Sequence, residues 1–196
     1  MPIQRIPSPA EPAIEVVAFA EDQYQTVDDY IRELVKKGMK RIGEGSYAVV
    51  FKHPKDPNVV VRVSSYYNDA AAKWHQACLK ELKGNPWVPK VLALYKAKYK
   101  ASVSYKEECY ITFLEKLQRA GGSVFRDPFI HRLMYYTYKA IDSEARHWLK
   151  VLANEVDDPK LSQVLRFIST KNPDISYSNI MVRPSTKQIV FSDPIQ

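Results

Sequence analysis

Long apolar runs are missing from this chain. No stretch approaches the roughly 18 to 20 apolar residues of a membrane-spanning helix, and no apolar run near the start resembles a signal peptide. The sequence has only two cysteines, Cys78 and Cys109, each within an apolar pattern. Two cysteines in a chain of this size do not form a disulfide framework. These absences predict a cytoplasmic protein with buried, free thiols and no membrane partner.

The pattern also lacks the signatures of zinc sites and repeat proteins. The four histidines have no spacing typical of zinc ligands, and no cysteine pair lies near them. No internal repeat occurs. With 196 residues, 45% of them hydrophobic, the chain is long enough for one domain or for two small lobes with a real core.

Positive charge, in contrast, is abundant. The net charge of +7 suits a protein that handles anions such as a nucleotide, a nucleic acid or an acidic protein surface. The densest basic segments are residues 36–41 and 95–100, and the second has tyrosine between its lysines. Such a stretch can bind single-stranded nucleic acid. It is also typical of the solvated face of a strand and its turn, which is the interpretation we favour.

The order of local patterns predicts an α+β protein. Residues 1–14 are rich in proline and predict a flexible leader or extended arm. Residues 27–37 form an amphipathic helical pattern with Thr26 as its cap. Strand patterns dominate up to residue 117, and helical patterns occupy residues 128–168, whose aromatic side chains at helical spacing are predicted to be core. We therefore divide the chain into residues 1–14, 15–117 and 118–196.

A glycine-rich segment lies at residues 42–51. Gly43, Gly45 and Val50 fit the motif Gly-x-Gly-x-x-Gly-x-Val, with Ala48 in place of the third glycine. Glycine lets the backbone approach phosphate oxygens, and a hairpin tip can require a positive φ. Alone, the segment is more typical of a plain hairpin than of nucleotide binding.

The segments that follow place further polar residues in a familiar order. Arg62 lies in the strand pattern 59–63, where kinase motifs have a phosphate-binding lysine. Glu81 lies in a helical pattern over residues 69–83 and is predicted to pair with Arg62. A second strand pattern ends at Glu115, where a hinge is expected.

Near the end of the chain, Asp174, Asn179 and Asp193 have the spacing with which phosphotransferases hold a hydroxyl nucleophile and magnesium. The apolar runs 180–182 and 189–191 are joined by turn-forming residues and predict a hairpin. That hairpin would place Asn179 and Asp193 at adjacent strand ends.

Taken together, these motifs resemble the protein-kinase-like fold from about residue 41 to the end, and most of all the early serine/threonine kinases of short-tailed bacteriophages. The resemblance implies an N-terminal antiparallel sheet lobe with one main helix, and a reduced, mainly helical C-terminal lobe. It implies transfer of the γ-phosphoryl of ATP to a host protein in the host cytoplasm, with Mg²⁺ as cofactor. Asp174 would be catalytic, and Asn179 and Asp193 would hold the metal. The residues implied to bind or orient the nucleotide are Gly43, Gly45, Ser46, Val50, Arg62, Glu81 and Glu115.

The departures from the family leave alternatives open. Asn172-Pro173 replaces the usual His-Arg, which implies no control by an activation-loop phosphate. Arg62 replaces lysine, and a planar guanidinium is not equivalent to an ammonium. The sequence ends three residues after Asp193, without the segment on which protein kinases bind peptides. A catalytically weak or inactive kinase-like protein that binds and inhibits a host protein is therefore the main alternative. A phosphotransferase of the aminoglycoside-kinase type, acting on small molecules, is the other.

Overall fold

A computed structural model describes residues 4–6, 27–36, 38–45, 47–64, 69–102, 105–138 and 140–196, without the side chains of 4–6, 97–102 and 105–108. The chain is α+β and divides into two units. Unit 1 comprises Met1–His75 and Lys90–Lys116, and unit 2 comprises Gln76–Pro89 and Leu117–Gln196. The predicted cap Thr26, the predicted nucleotide ligand Ser46 and all of the predicted leader except residues 4–6 lie outside the described residues.

Unit 1 is built on one antiparallel sheet with the strand order β1-β5-β6-β4-β3-β2. Its strands are β1 (Gln4–Ile6), β2 (Arg41–Glu44), β3 (Ala48–Lys52), β4 (Val59–Ser64), β5 (Val91–Ser102) and β6 (Tyr105–Glu115). The edge strand β1 comes from the segment predicted as a leader, and it pairs antiparallel with β5. Strand β2 pairs with β3, β3 with β4, and β4 with β6, each pair antiparallel.

The core of unit 1 lies on one face of this sheet. Successive side chains of a strand point to opposite faces, so Val59, Val61 and Val63 of β4 share a face and are buried together. Helix α1 (Val27–Lys36) adds the buried Tyr30 and Leu34 to the same cluster. The helix therefore covers one face of the sheet, and the opposite face carries the polar residues of β4.

Helix α2 (Ala70–Lys80) is shorter than the sequence pattern predicts. The N–H of Leu82 donates to the carbonyl of Ala77, and Gly84 adopts a φ of +74°. A left-handed glycine just beyond a helix is the common way to terminate it. Glu81 consequently lies in the turn after the helix and is exposed, rather than on the helical face where it was predicted.

Besides the end of α2, the described part of unit 2 contains the α-helices α3 (Pro128–Thr137), α4 (Asp142–Glu155) and α5 (Pro159–Ile168). Both α3 and α5 begin with an Asp-Pro pair. Asp127 accepts from the N–H groups of the first turn of α3, and Asp158 does the same in α5. Aspartate satisfies the unpaired N–H groups there, and proline at the first position loses no helical hydrogen bond. Helix α4 packs against both α3 and α5.

A small sheet completes unit 2, with the order β7-β8-β9 and the strands β7 (Gln118–Arg119), β8 (Ile180–Val182) and β9 (Ile189–Phe191). The predicted hairpin of β8 and β9 is confirmed. Its turn is closed by the N–H of Arg183 donating to the carbonyl of Gln188 at 2.8 Å, and Lys187 adopts a left-handed φ of 59°.

The segment Gln76–Pro89 belongs to unit 2, although the sequence pattern assigns it to residues 15–117. Buried Asn85 donates to a carbonyl of α5 at 2.8 Å. The indole of Trp87 donates to the Asp158 carboxylate at 2.7 Å and lowers the pKa of that group. The guanidinium of Arg183 donates to two carbonyls of the segment. Side-chain hydrogen bonds over a long sequence separation therefore fix where this segment belongs.

The two cysteines are buried and free, which confirms that prediction. Burial raises the pKa of the Cys78 thiol well above its usual value. In the described ranges, none of the helices combines the length and apolar character needed to cross a bilayer.

Candidate functional site

The predicted site residues fall into two groups. Gly43, Gly45, Val50, Arg62 and Glu115 belong to unit 1. The predicted catalytic and metal-binding residues belong to unit 2, together with Glu81.

The glycine hairpin is formed by β2 and β3. Gly43 pairs with Val50 across the hairpin, and the N–H of Gly45 donates to the carbonyl of Ala48 at 2.9 Å. Neither Gly43 nor Gly45 is among the described glycines with positive φ, so the expectation that the tip needs a left-handed backbone is wrong for these two residues. A Cβ added to Gly45 would have no atom within 4 Å. The space beside its backbone is what glycine contributes here.

Arg62 lies on the sheet face opposite the core, between two cross-strand neighbours. Val50 of β3 and Thr112 of β6 are its register partners. Directly opposed residues of antiparallel strands have Cβ atoms about 4.5 to 5.5 Å apart, so the structure brings Val50 and Arg62 together as the motif predicts. The hydroxyl oxygen of Thr112 is buried and has no hydrogen-bond partner among the described residues.

Asp69, and not Glu81, is the carboxylate that pairs with Arg62. The guanidinium donates from Nη1 to Oδ2 and from Nη2 to Oδ1, the second at 3.1 Å. The side chains are only 13% and 3% exposed. Asp69 directly precedes α2 and also accepts from the N–H of Ala71. Glu81, beyond the end of α2, accepts from Gln163 through its carbonyl. An aspartate just before an alanine-rich helix is an N-cap signal, and that signal was available in the sequence.

His75 is a buried neighbour of this ion pair on α2. It is 3% exposed, and its Nδ1 has no hydrogen-bond partner within the described part of the chain. Burial lowers the pKa of His75 well below 6.5, and the positive charge of Arg62 lowers it further. The imidazole is therefore neutral at pH 7, and the cluster contains one cation and one anion.

Glu115, the last residue of β6, is tied to the main chain of Lys90. Its carboxylate accepts from the Lys90 N–H at 2.8 Å, and its own N–H donates to the Lys90 carbonyl at 3.0 Å. These bonds hold the end of β6 beside the segment that leads into β5. The structure thus gives Glu115 a local role at the position where the sequence predicts a hinge.

In unit 2, Asp174 is held by the residues that follow β9. Its N–H donates to the carbonyl of Pro194 at 2.8 Å, and Pro173 and Ile195 form an isolated antiparallel bridge. The backbone at Pro173 and Asp174 is therefore held by residues that lie about 20 positions later in the chain. The side chain itself is only partly buried.

Asn179 connects Asp174 to the hairpin. Its Nδ2 donates to the Asp174 carbonyl at 2.8 Å and to the carboxylate Oδ2 at 3.1 Å. Its carbonyl accepts from the N–H of Ser192 at 2.9 Å and from the Ser192 hydroxyl at 3.1 Å. Asp193 is the next residue and is half-buried. The prediction that Asn179 and Asp193 occupy adjacent strand ends is confirmed by the β8–β9 register.

This arrangement suits a magnesium ion that phosphate and water help to bind. The described residues contain no group of three or more histidine, cysteine, aspartate or glutamate side chains that would hold a metal alone. Mg²⁺ usually takes one or two carboxylates and completes its coordination with substrate phosphates and water. Asp193 and the amide oxygen of Asn179 are donors of the required type.

The sequence did not predict an aromatic groove that lies beside this loop. This groove of about 360 Å³ has an aromatic lining, to which the loop contributes Tyr177. Helical spacing predicts Tyr135, Tyr136 and Tyr138 as core. Tyr136 is only half-buried and stacks on Trp148 at 4.2 Å, whereas Tyr135 is 75% and Tyr138 is 49% exposed, so the core prediction is wrong for Tyr135 and Tyr138.

No family model and no curated protein matches the chain. The basis for a functional proposal is therefore the residues and their geometry, together with the motif resemblance.

Proposed function

We propose that this chain transfers the γ-phosphoryl of ATP to a serine or threonine hydroxyl of a protein, in a Mg²⁺-dependent reaction. The observation that carries the proposal is the double hydrogen bond from the Asn179 amide to Asp174. It orients a partly exposed carboxylate beside a hairpin end that carries Asp193. Protein phosphotransferases require such a set: one carboxylate for the hydroxyl, and an amide and a carboxylate for the metal.

In this reaction the acceptor hydroxyl oxygen bonds to the γ-phosphorus as the bond between that phosphorus and the β–γ bridging oxygen breaks. ADP leaves with the electron pair, and the hydroxyl proton passes to Asp174. Asn179 and Asp193 would hold Mg²⁺, which neutralises the charge on the phosphate oxygens. Within the described residues, the Asp174 Oδ1 atom accepts no hydrogen bond, so one carboxylate oxygen remains for the incoming hydroxyl.

The nucleotide-binding part of the proposal draws on unit 1. The open space at the Gly45 backbone supports contact with phosphate oxygens, and Val50 supports contact with a base. Ser46, Glu81 and Glu115 are included from the family resemblance alone. The proposed protein-kinase-like identity, the phage origin, the host protein as substrate and the cytoplasmic location have the same basis. Nucleic acid is not a favoured partner.

A second candidate function follows from Arg62. Its two terminal nitrogens both donate to Asp69, so the cation that would hold phosphates is already paired with a buried carboxylate. This favours a kinase-like protein that inhibits a host protein by binding to it, with weak catalysis or none. The two candidates differ in whether Mg²⁺ and ATP bind and turn over.

Thermal unfolding with ATP and Mg²⁺ separates them. At about ten times the dissociation constant, ligand binding stabilises the fold by about 1.4 kcal/mol, which raises the Tm by about 3 to 6 °C. We expect Asp193→Ala to abolish the Mg²⁺-dependent part of this shift. Asp157→Ala, which removes an exposed aspartate elsewhere in unit 2, should preserve it.

Labelled ATP, Mg²⁺ and host lysate then test transfer directly. Label on a lysate protein or on the chain itself supports the phosphotransferase, provided that Asp193→Ala removes it. A melting curve unchanged at millimolar nucleotide, together with no transferred label, would contradict the phosphotransferase and favour the inhibitor.

A further inference from the structure

The aromatic groove in unit 2 has no role in the chemistry described so far. Its lining residues are Phe125, His131, Met134, Tyr135, Tyr138 and Tyr177. The rings of Phe125 and Tyr177 meet edge to face at 4.7 Å, and those of Tyr138 and Tyr177 are 6.2 Å apart. Tyr177 is nevertheless 57% exposed. Clustered, exposed aromatic surface commonly marks a binding site.

The groove shares a loop with the proposed catalytic carboxylate. Tyr177 begins the short 3₁₀ helix Tyr177–Asn179 and lies three residues after Asp174. Three residues of chain span at most about 11 Å. Asn179, at the end of the same helix, is bonded to Asp174, which limits movement between the two positions. The Cα atoms of Asp174 and of the groove residue Tyr177 are therefore at most about 11 Å apart.

The lining determines which ligands fit. Among the described residues that line it, there is no aspartate or glutamate to pair with amines, so they do not suit a polycation such as an aminoglycoside. The same described residues include no lysine or arginine, so they do not suit the phosphates of a nucleic acid strand. Aromatic rings with a methionine suit an uncharged apolar group. A volume of about 360 Å³ is near the lower end for ligand sites, enough for one large side chain.

We propose that this groove binds a large apolar side chain of the protein segment that carries the acceptor hydroxyl. The proposal rests on the phosphotransferase function and names its substrate class as a peptide segment. Because about 11 Å of extended chain corresponds to three residues, the apolar residue lies within about three positions of the acceptor serine. The groove thus performs part of the recognition of the peptide substrate.

The experiment uses two sets of synthetic peptides, each labelled with fluorescein. Every peptide of the first set has one serine and one phenylalanine, at offsets of about one to six residues on either side. The second set has alanine in place of phenylalanine. Fluorescence polarisation gives the Kd, and labelled ATP with Mg²⁺ gives kcat and KM. Burying a phenylalanine side chain should tighten binding about tenfold or more at the short offsets.

Two variants test the groove itself. Tyr135→Ser and Tyr177→Ser should each reduce the phenylalanine preference to about the level of the alanine peptides, through Kd and KM rather than kcat. The matched control is Ile141→Ser, which removes a 65% exposed apolar side chain outside the groove lining. It should leave the preference unchanged. Far-ultraviolet circular dichroism checks that each variant is folded.

The outcomes separate this inference from the proposed function. Preference for phenylalanine in binding, lost in both tyrosine variants but without phosphoryl transfer, supports the groove and contradicts the phosphotransferase. Transfer to serine peptides with no phenylalanine preference, or with a preference retained in both variants, overturns the groove and leaves the phosphotransferase. Failure to bind any peptide of either set, or transfer to an aminoglycoside instead, also overturns it.

Discussion

The Arg62–Asp69 pair and the Asp174–Asn179 pair are both formed by polar side chains, but they use their hydrogen-bonding capacity in opposite ways. Arg62 and Asp69 are 13% and 3% exposed and satisfy each other, with Asp69 also accepting from the start of α2. Asp174 is only partly buried, and among the described residues its carboxylate accepts one side-chain hydrogen bond, from Asn179. Removing one partner of such a buried pair as Arg62–Asp69 leaves an uncompensated charge, so the pair acts mainly on stability. A braced but exposed carboxylate is what a reaction with a ligand requires.

A match to a motif position therefore does not by itself assign a role to a residue. Arg62 and Asp174 both fall on motif positions, and the geometry supports a chemical role for Asp174 more directly than for Arg62. We therefore expect changes at the Arg62–Asp69 pair to act mainly on stability, and changes at the Asp174–Asn179 pair to act mainly on turnover.

The largest expected effect is the loss of the Arg62 partner. Asp69→Ala leaves a buried guanidinium without its carboxylate, so we expect a loss of about 3 to 5 kcal/mol in the free energy of unfolding. Urea denaturation followed by circular dichroism measures it. The double variant Arg62→Met/Asp69→Ala, which removes both charges, should recover at least half of that loss.

The control for this experiment is Glu155→Ala. It breaks the ion pair with Arg132, in which the side chains are 47% and 46% exposed. Exposed pairs contribute about 1 kcal/mol or less. Equal losses in Asp69→Ala and Glu155→Ala would show that burial does not distinguish the two pairs.

The next effect concerns turnover. Asp174→Asn keeps an oxygen that accepts from Asn179, so the free energy of unfolding and the ATP-dependent Tm shift should remain. The amide does not accept the hydroxyl proton, and we expect phosphoryl transfer to fall about 100-fold or more. Rates with labelled ATP and peptide measure this, with Asp157→Asn as the control. Full transfer by the Asp174 variant removes this residue from the catalytic role.

A smaller effect is pH dependence from His75. Its pKa in the folded protein is lowered below 6.5, so its full stabilising contribution is present above that value and is lost as the pH falls. We expect the free energy of unfolding to fall by about 1 kcal/mol as the pH is lowered from about 7.5 to about 5.5. His75→Gln, which does not titrate, should flatten this dependence, whereas His131→Gln on the surface of α3 should not. A slope unchanged in His75→Gln assigns the dependence to other groups, among them His53, whose pKa burial also lowers.

The smallest effect on stability is expected at Gly45. Its φ is not positive and an added Cβ meets nothing within 4 Å, so Gly45→Ala should change the free energy of unfolding by about 0.5 kcal/mol or less. Gly84→Ala is the contrast, because its φ of +74° strains any Cβ and should cost about 1 kcal/mol. Calorimetry of ATP binding then tests the hairpin. An unchanged Kd in Gly45→Ala excludes close approach of phosphate to this backbone.

Much of the fold was predictable because short-range patterns determine it. The β8–β9 hairpin follows from two apolar runs around a turn, and α5 follows from Leu161, Val164, Leu165 and Ile168 at helical spacing. The strand carrying Arg62 was predicted within one residue of its observed end. The helical pattern predicted that α2 continues to residue 83, three residues beyond its observed end at Lys80. The left-handed Gly84 lies in the turn that follows the helix.

Less of the candidate site was predictable. The proximity of Asn179 to the residues after β9 follows from the hairpin alone, so the sequence was sufficient for it. The exposure of Tyr135 and Tyr138 was not, because a helical aromatic pattern is the same whether the side chain meets another helix or a groove.

Short-range signals in the sequence were enough to specify the elements of this protein and the order of its candidate site residues, since propensity, periodicity and turn residues act within a few positions. The partners of those residues depended on tertiary packing. It gave Arg62 to Asp69 rather than to Glu81, and it attached Asp174 to Asn179 and to the backbone after β9. Hydrogen bonds and ion pairs act over about 3 Å, and which groups come that close depends on how whole elements pack.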